Sequence, residues 1–315
     1  ASAIPDGSRE STSYVAKEFA FEQAFAQGTT AGTTISNTAS VAYDVGSVPQ
    51  TPVTGTANFL VDRRINVTVA ESGGVSTPVV PGSAGQVLTF TVTNNSNATL
   101  DFALAANDFA AGATPAPFSD TDNFNVLAVP APQVFVDGNA NGTYELLNDT
   151  ATFIDELAPG GTRTVFIVAS IPGTVTNGDT AGMTVTAISH QSTVALTGVY
   201  VATPGVLAPA AAETNTLVAD DPTFIDTVFG DLAGDLVGDI VRDGRHSDYD
   251  EYDVVTATIT VTKSSTVVSD PFNLLVNPKA IPGAVIEYCF DVFNNGAATA
   301  TSIVLTDPIP ANTTY

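Results

Sequence analysis

The chain has 315 residues, with 33 acidic and 9 basic side chains, so its formal net charge at pH 7 is −24. A field of that sign repels phosphate groups and argues against nucleic acid and anionic membrane surfaces as partners. Two His and one Cys are too few for a Cys/His zinc site or a disulfide framework. The hydrophobic fraction of 44% suffices for packed cores, whereas the charged fraction of 13% leaves a surface of Thr, Ser and Asn, which is typical of exposed strands. No run of 18 apolar residues occurs, so we expect no membrane-spanning segment.

The first 26 residues form a predicted N-terminal extension. Within it, residues 14–26 fit either a short amphipathic helix or a β-strand, because Phe19, Phe21 and Phe25 recur at period two. Residues 27–64 follow as a predicted leading β-hairpin region.

Most of the remaining chain consists of short alternating runs bounded by Gly, Pro, Asn and Asp, which predicts strands and turns. Within these runs, β-branched residues or Phe alternate with Thr, so that one face of each strand points into a core and the other into water. The clearest runs are residues 87–93, 163–169, 183–188 and 254–262.

An internal repeat links two parts of the chain. A Pro-Gly pair followed by residues 87–95 matches a second Pro-Gly pair followed by residues 286–295, and both copies end in Asn-Asn. Residues 259–263 also echo residues 65–69. Because no helix of crossover length lies between the strands of one copy, parallel βαβ folds are excluded and antiparallel sandwiches remain.

The alternation within the repeat predicts which side chains are buried. Cys289, between two aromatic residues of a predicted strand, is expected to be buried or poorly exposed. The predicted core side chains are Phe90, Val92, Phe166, Val168, Phe290 and Val292.

These motifs carry a family resemblance. The Pro-Gly pair, the strand that ends in Asn-Asn and the Asp-Pro-Ile-Pro turn at residues 307–310 resemble the Ig-like conserved repeat domain of bacterial surface proteins, domain of unknown function 11. Residues 48–65, 157–172 and 242–263 resemble long extracellular proteins of Gram-negative bacteria that carry such modules. The resemblance covers about residues 30–315. It implies an all-β chain of tandem Ig-like antiparallel β-sandwiches, secreted or held at the surface of a Gram-negative bacterium.

Three predicted units follow the leading region. Residues 65–192 form the first Ig-like sandwich, and residues 193–263 combine an Ala/Pro-rich connector, an acidic segment and a long strand. Residues 264–315 begin a second Ig-like domain, which is about half of the roughly 100 residues that such a domain needs. We therefore expect that either the natural chain continues or another subunit supplies the missing strands.

The sharpest local motif begins at Asp137 and reads D-x-N-x-N-G, the first half of a calcium loop. Ca²⁺ takes six to eight oxygen ligands, and carboxylates, amide oxygens and one backbone carbonyl within this loop offer about that many. The alternative is a metal-free Asn-Gly hairpin. The candidate ligands are Asp137, Asn139, Asn141, Thr143, Glu145 and Asp149.

A second acidic region offers a weaker calcium site, for which a solvated loop is the alternative. The candidate ligands are Asp243, Asp248, Asp250 and Asp253. Just before them, Asp recurs every four residues from position 231 to 243. On a helix these carboxylates would repel one another along one stripe, so either cations neutralise them or the segment is a series of turns.

No catalytic constellation is recognisable, because the sequence holds no G-x-S-x-G elbow, H-E-x-x-H pair or phosphate loop. The expected function is a non-enzymatic structural subunit of an extracellular bacterial fibre or surface layer, stabilised by calcium and built from copies of itself. The alternative is a modular adhesin stalk that binds a surface ligand.

The predicted assembly contact joins the N-terminal extension of one subunit to the incomplete second domain of its neighbour. The extension would add a strand or helix to an open sheet. Such a head-to-tail contact does not close and generates a filament. The predicted contact residues are Phe19, Phe21 and Phe25 on the extension, and Tyr288, Phe290 and Val292 on the sheet.

Overall fold

A computed structural model describes residues 28–109, 114–127, 133–192, 214 and 216–314. These residues contain no helix and the strand content is 45%, so the all-β prediction is confirmed at the level of several antiparallel sheets. The strands, in chain order, are β1 (Thr34–Val41), β2 (Asp44–Val45), β3 (Val48–Pro49), β4 (Val53–Leu60), β5 (Arg63–Ile65), β6 (Val67–Glu71), β7 (Thr77–Val79), β8 (Gln86–Asn94), β9 (Leu100–Asp108), β10 (Gln133–Val136), β11 (Phe153–Leu157), β12 (Thr162–Ala169), β13 (Thr180–Gln191), β14 (Thr227–Phe229), β15 (Arg245–Val254), β16 (Ile259–Ser269) and β17 (Val285–Asn294).

Two sheets that share one hydrophobic core form what we term the central unit. The first sheet has the strand order β10-β12-β8-β6, and the second has the order β11-β9-β13-β15-β7. Alternate side chains of both sheets enter one buried cluster, which includes Phe90 and Val92 from β8 and Met183 and Val185 from β13. Burial of such apolar surface, at about 25 cal/mol per Å², is the main force that holds the two sheets together.

The face that β12 presents to this core differs from the prediction. Val165 and Ile167 join the core cluster, whereas Phe166 is buried outside it. The pairing with β8 decides this, since Val165 lies opposite Phe90, and residues directly opposite in an antiparallel pair point to the same side. The prediction that Phe166 and Val168 face the core is therefore wrong by one residue.

The acidic segment before β15 forms turns rather than a helix. Its ends are held together by Asp231, whose Oδ2 accepts a hydrogen bond from Asp243 N at 3.0 Å and whose Oδ1 accepts one from Gly244 N at 3.1 Å. Of the two alternatives for this Asp-rich segment, the series of turns is the one observed.

The segment leads into β15, which completes the second sheet between β13 and β7. Its pairing with β7 is parallel, as is the pairing of β14 with β5, so the sheets are not antiparallel throughout.

Strands β1 and β4 pair as a two-stranded sheet, here termed the leading hairpin, within the predicted hairpin region 27–64. The chain on either side of it contacts the central unit at Asn97. The Nδ2 of Asn97 donates to the carbonyl oxygens of Thr29 at 3.2 Å and Asp62 at 2.8 Å. Ala31 N donates to the carbonyl oxygen of Asn97 at 3.0 Å. The leading hairpin is thus attached to the turn that follows β8.

Strands β16 and β17 pair antiparallel and form what we term the end ribbon. Thr256, between β15 and β16, donates its N–H to Asn177 Oδ1 at 3.0 Å and so attaches the ribbon to the central unit. The strand boundaries differ from the prediction, because the expected strand over residues 254–262 is interrupted before β16. The expected strand at residues 301–306 is absent from the described residues, where this stretch has no regular structure.

The end ribbon repeats the pairing of β6 with β8. Val67 lies opposite Asn94 in the central unit, and Ile259 lies opposite Asn294 in the end ribbon. Ile259 therefore corresponds to Val67, not to Ile65 as the sequence echo indicated. The structural alignment of the two repeats differs from the sequence echo by two residues, and a shift of two residues leaves the inward and outward faces of the strand unchanged.

Candidate functional site

The loop 137–149 folds as a closed turn with its acidic ends inside. Asp137 and Asp149 are both buried. Asp137 Oδ2 accepts a hydrogen bond from Gly142 N at 2.7 Å, and Asp149 Oδ2 accepts one from Glu145 N at 2.6 Å. Gly142 has a φ of 75°, a backbone conformation that a residue without Cβ adopts readily. The D-x-N-x-N-G spacing thus produces the sharp turn that the motif predicts.

The remaining predicted ligands belong to the same hydrogen-bond network. Asn139 Oδ1 accepts from Asn141 N at 3.2 Å, and Asn141 Oδ1 accepts from Thr143 N at 2.8 Å. Glu145 Oε2 accepts from the side-chain amides of Asn148 at 2.6 Å and Asn139 at 2.7 Å. These two amides lower the pKa of Glu145, so the carboxylate form is favoured. The loop therefore gathers all six predicted residues.

This loop has the donor chemistry for Ca²⁺. Its internal hydrogen bonds satisfy the turn without a metal, as the hairpin alternative requires. Each carboxylate or amide oxygen also has two acceptor positions, and the loop backbone uses only part of that capacity. Three carboxylates and two amide oxygens from one short loop match the oxygen-only ligand set that Ca²⁺ prefers.

The same loop covers an aromatic side chain on the outer face of the first sheet. The ring of Tyr144 lies 5.9 Å from that of Phe166 and 5.3 Å from that of Phe135, measured between centroids. Because Phe166 is fully buried on the side of β12 away from the core, the loop conformation and the burial of Phe166 depend on each other.

The second predicted set of ligands does not form one site. Asp243 precedes β15, where Arg245 Nε donates to its Oδ2 at 2.7 Å. Asp253 lies near the other end of the strand, roughly 30 Å away at about 3.3 Å per residue. Asp248 and Asp250 share one face of β15, and Asp253 occupies the other, because successive side chains alternate. Four carboxylates in this arrangement cannot coordinate a single ion.

Asp248 and Asp250 instead belong to an acidic group where β15 approaches β6. Glu71 N donates to Asp248 Oδ2 at 2.5 Å, and Asp250 is almost fully buried. Burial raises the pKa of Asp250 to about 8, with smaller contributions from the charges of Glu71, Glu251 and Asp248. Burial also raises the pKa of Asp235 to about 6, and hydrogen bonding and charge repulsion from Asp248 add to the effect.

Among the described residues, two carboxylate clusters have side-chain oxygens that all lie within 4.8 Å of one another and could hold a metal ion, and the three carboxylates of loop 137–149 are not among them. Sequence reasoning missed both, because each draws its members from segments far apart in the chain and no local motif marks them. One lies where β5 pairs with β14, and there Asp226 N donates to Asp62 Oδ1 at 2.9 Å. The clusters are Asp62, Asp220 and Asp226, and Asp101, Asp155 and Glu156.

The predicted assembly residues fall into two groups. Tyr288, Phe290 and Val292 share one face of the end ribbon, and Val292 is 40% exposed. Lys263 lies across this face, with its Nζ 4.4 Å from the centroid of the Tyr288 ring and 5.1 Å from that of Phe290. The prediction that Phe290 and Val292 point into a core is therefore wrong for the described residues, because no second sheet packs on this face of the ribbon and Phe290 is only half-buried. The other group, Phe19, Phe21 and Phe25, lies outside the residues that the structure describes.

The free thiol of Cys289 is exposed, so the expectation of a buried or poorly exposed cysteine is wrong. Its neighbours Tyr288 and Phe290 point to the apolar face of the end ribbon, and alternation therefore puts Cys289 on the opposite face. That face has no sheet packed against it among the described residues.

No protein-family model matches this chain, and no curated protein matches its sequence. The resemblance to the Ig-like conserved repeat domain therefore rests on the sequence motifs. Within the part of the chain that the structure describes, no helix has the length and apolar character needed to cross a bilayer.

Proposed function

We propose that this protein is a non-enzymatic structural subunit of an extracellular bacterial fibre or surface layer, in which copies of one chain join head to tail. The observation that carries the proposal is the end ribbon. It repeats the pairing of β6 with β8, yet the face that is buried in the central unit is open in the end ribbon. An exposed apolar face with an unpaired strand edge is an association site.

The pairing of strands supports an assembly by strand addition. In the central unit, β12 hydrogen-bonds along the edge of β8, opposite the edge that β6 uses. The equivalent edge of β17 has no partner strand among the described residues. Phe19, Phe21 and Phe25 all stand at odd-numbered positions of residues 14–26. If this segment adds as a strand, the three side chains would share one face of the extended sheet. The N-terminal extension of a neighbouring copy is accordingly the proposed donor.

Calcium belongs to the proposal as a stabiliser of the subunit. The loop 137–149 holds oxygen donors of the type that Ca²⁺ binds and covers the outer face of the first sheet through Tyr144. Two Asn in place of Asp lower the charge of the loop, which suits the millimolar calcium found outside cells. Ig-like tandem organisation and a location at the surface of a Gram-negative bacterium are part of the same proposal and rest on the sequence resemblance.

Negative-stain electron microscopy of the purified chain at millimolar calcium tests the proposal. We expect ordered polymers, and we expect a variant lacking residues 1–26 to remain folded and monomeric. Sedimentation velocity and circular dichroism measure these two properties. A chain that stays monomeric at high concentration would contradict the structural role and favour the adhesin stalk. Normal polymers from the shortened variant would remove the extension as donor.

A further inference from the structure

The leading hairpin is a sheet with one apolar face and one polar face. In its register, Ile35 lies opposite Phe59, and Val41 lies opposite Val53. Because opposite residues share a face and side chains alternate, Ser and Thr dominate the other side. Val41 is 61% exposed, Val53 60% and Phe59 51%. Asn37 is the one polar side chain on the apolar face, which otherwise consists of Ile35, Ala39, Val41, Val53, Gly55, Ala57 and Phe59.

The end ribbon has the same division into faces. Val261 lies opposite Val292, and the pairing continues along the ribbon with Val267 opposite Ile286. Lys263 is the one charged side chain that the two strands place on this face, since Glu287 and Asp291 alternate to the other side, and its Nζ donates to Asp307 Oδ1 at 2.7 Å, which balances the charge. Apart from Lys263 and Ser265, the apolar face consists of Val261, Val267, Ile286, Tyr288, Phe290 and Val292.

The central unit shows how two such strand pairs pack. Its first two long strands, β6 and β8, face the pair β13 and β15 of the other sheet, and Val69 and Phe90 meet Met183 and Tyr252 in the shared core. β6 also touches β15 directly, where Val69 N donates to His246 Nδ1 at 3.2 Å. The end ribbon corresponds to β6 and β8 by its register.

The leading hairpin corresponds to β13 and β15 by its place in the chain. Strand β15 leads through residues 255–258 into β16, the first strand of the end ribbon. In the same way, β4 leads through residues 61–62 and the short β5 into β6, the first strand of the central unit. Each of these antiparallel pairs therefore stands directly before the start of a new unit. The leading hairpin thus corresponds to the last half of a two-sheet unit, and the end ribbon corresponds to the first half.

The two halves of one molecule lie at opposite ends of the central unit. The leading hairpin is attached at Asn97, beyond the end of β8. The end ribbon is attached at Asn177, in the turn that returns to the beginning of β8, where Ile171 N donates to Ser83 O at 2.8 Å. The 9 residues of β8 separate these ends by about 30 Å. The two apolar faces can therefore meet only between copies.

We propose that the apolar face of the end ribbon in one copy packs on the apolar face of the leading hairpin in the next copy, which builds a two-sheet unit from two subunits. The proposal rests on the head-to-tail assembly above: the extension of the neighbouring copy pairs with the free edge of β17, and the leading hairpin of that copy covers the apolar face. Charge favours this partner, since β1 and β4 contain no charged residue although the chain carries a net charge of −24. Copies that repel each other elsewhere can approach through an uncharged surface. The contact joins two different surfaces and therefore propagates as a filament.

Cross-linking between two singly labelled proteins tests the contact. Val53→Cys on β4 and Val261→Cys on β16 are each made in full-length protein that carries Cys289→Ser, and the two are mixed. A bismaleimide that spans about 10 Å bridges two facing sheets. We expect a covalent dimer from the mixture and at most traces from either protein alone. Thr54→Cys and Thr262→Cys, exposed on the opposite faces of the same strands, are the matched controls and should not cross-link.

A charge substitution gives a second measurement. Val261→Asp should abolish assembly in sedimentation velocity, whereas Thr262→Asp on the polar face should leave it intact. Both positions are exposed, so circular dichroism should show unchanged folding. Assembly that persists in Val261→Asp, or cross-links that form equally in the control pair, would overturn the proposed joint and leave the structural role standing. Cross-linking of the Val261→Cys protein to itself would indicate a closed, symmetric dimer and would also overturn it. Failure of the unmodified chain to assemble would reject both proposals.

Discussion

Asn94 and Asn294 make the same side-chain hydrogen bond in the two copies of the repeat. Asn94 Nδ2 donates to the carbonyl oxygen of Ala98 at 2.9 Å, and Asn294 Nδ2 donates to that of Ala298 at 2.8 Å. Asn94 Nδ2 also donates to the carbonyl oxygen of Leu157, in a distant segment of the chain, at 2.7 Å. Among the described residues, Asn294 Nδ2 has no equivalent second acceptor. Asn294 instead accepts the N–H of Thr258 on its Oδ1 at 3.1 Å. The two turns therefore share their local hydrogen bond and differ in burial, since Asn94 is fully buried and Asn294 is exposed.

Replacing the two asparagines separately should give unequal losses of stability. Asn94→Ala leaves the buried carbonyl oxygens of Ala98 and Leu157 without this donor, which should cost about 1–3 kcal/mol. Asn294→Ala removes the hydrogen bonds to Ala298, Thr258 and Gly296, but Asn294 is itself exposed and water can replace this partner, so the cost should be about 1 kcal/mol or less. Urea unfolding of the full-length chain provides the measurement, and similar losses in both variants would contradict this interpretation.

The same comparison applies to the aromatic residues of the repeat. Phe90 is fully buried in the central core, so Phe90→Ala should reduce the free energy of unfolding by about 3–5 kcal/mol. Phe290 lies on the open face of the end ribbon, and Phe290→Ala should cost less than about 1 kcal/mol in the monomer. Thermal unfolding at low protein concentration, where copies do not associate, measures both. A large loss for Phe290→Ala in the monomer would show that its face is already covered.

Calcium should raise the melting temperature of the chain, because an ion that binds only the folded state stabilises it by mass action. Asp137→Asn should remove the dependence on calcium. It should also lower the melting temperature in EDTA, since Asp137 accepts the N–H of Gly142. Asn139→Asp adds a carboxylate and should shift the calcium response to lower concentration. Identical melting curves in calcium and EDTA for the unmodified chain would rule out the site.

Without calcium, stability should fall as pH rises from about 4 to about 8. The pKa of Asp250 is about 8 in the folded state, against 3.8 for an ordinary Asp, because of burial first and neighbouring carboxylates second. Between these values the folded protein holds a proton that the unfolded chain releases, so the stabilising effect of that proton is complete below pH 4 and lost as pH passes 8. At about 1.4 kcal/mol per pKa unit, the effect amounts to several kcal/mol.

Asp250→Asn should therefore flatten the pH profile and raise stability at pH 8. Asp291→Asn, on the exposed face of the end ribbon, removes one charge elsewhere and serves as the control. Denaturant unfolding at pH 5 and pH 8 measures the difference. Greater stability at pH 8 than at pH 5 in EDTA would contradict the expected direction.

The strands and the loop 137–149 could be predicted from the sequence because their signals are local. Alternating Thr and Val mark β8, and the D-x-N-x-N-G spacing marks the turn at Gly142. The predicted strand at residues 301–306 failed for a related reason, since a strand needs a partner and the described residues give it none. The face of β12 was also missed, because consecutive apolar residues from Val165 to Val168 leave the register ambiguous until β8 pairs with it.

By itself, the sequence determined the all-β character, the repeat and the position of the acidic loop, because turn chemistry and period-two alternation act between near neighbours. The tertiary structure alone decided which of two similar ribbons is enclosed and which stays open. It also decided that Asp253 lies apart from Asp250, and that Asp62 meets Asp226. The physical reason is that burial, charge clustering and sheet pairing depend on which distant segments come together, and equivalent sequences such as β8 and β17 acquire different environments when one has a facing sheet and the other has none.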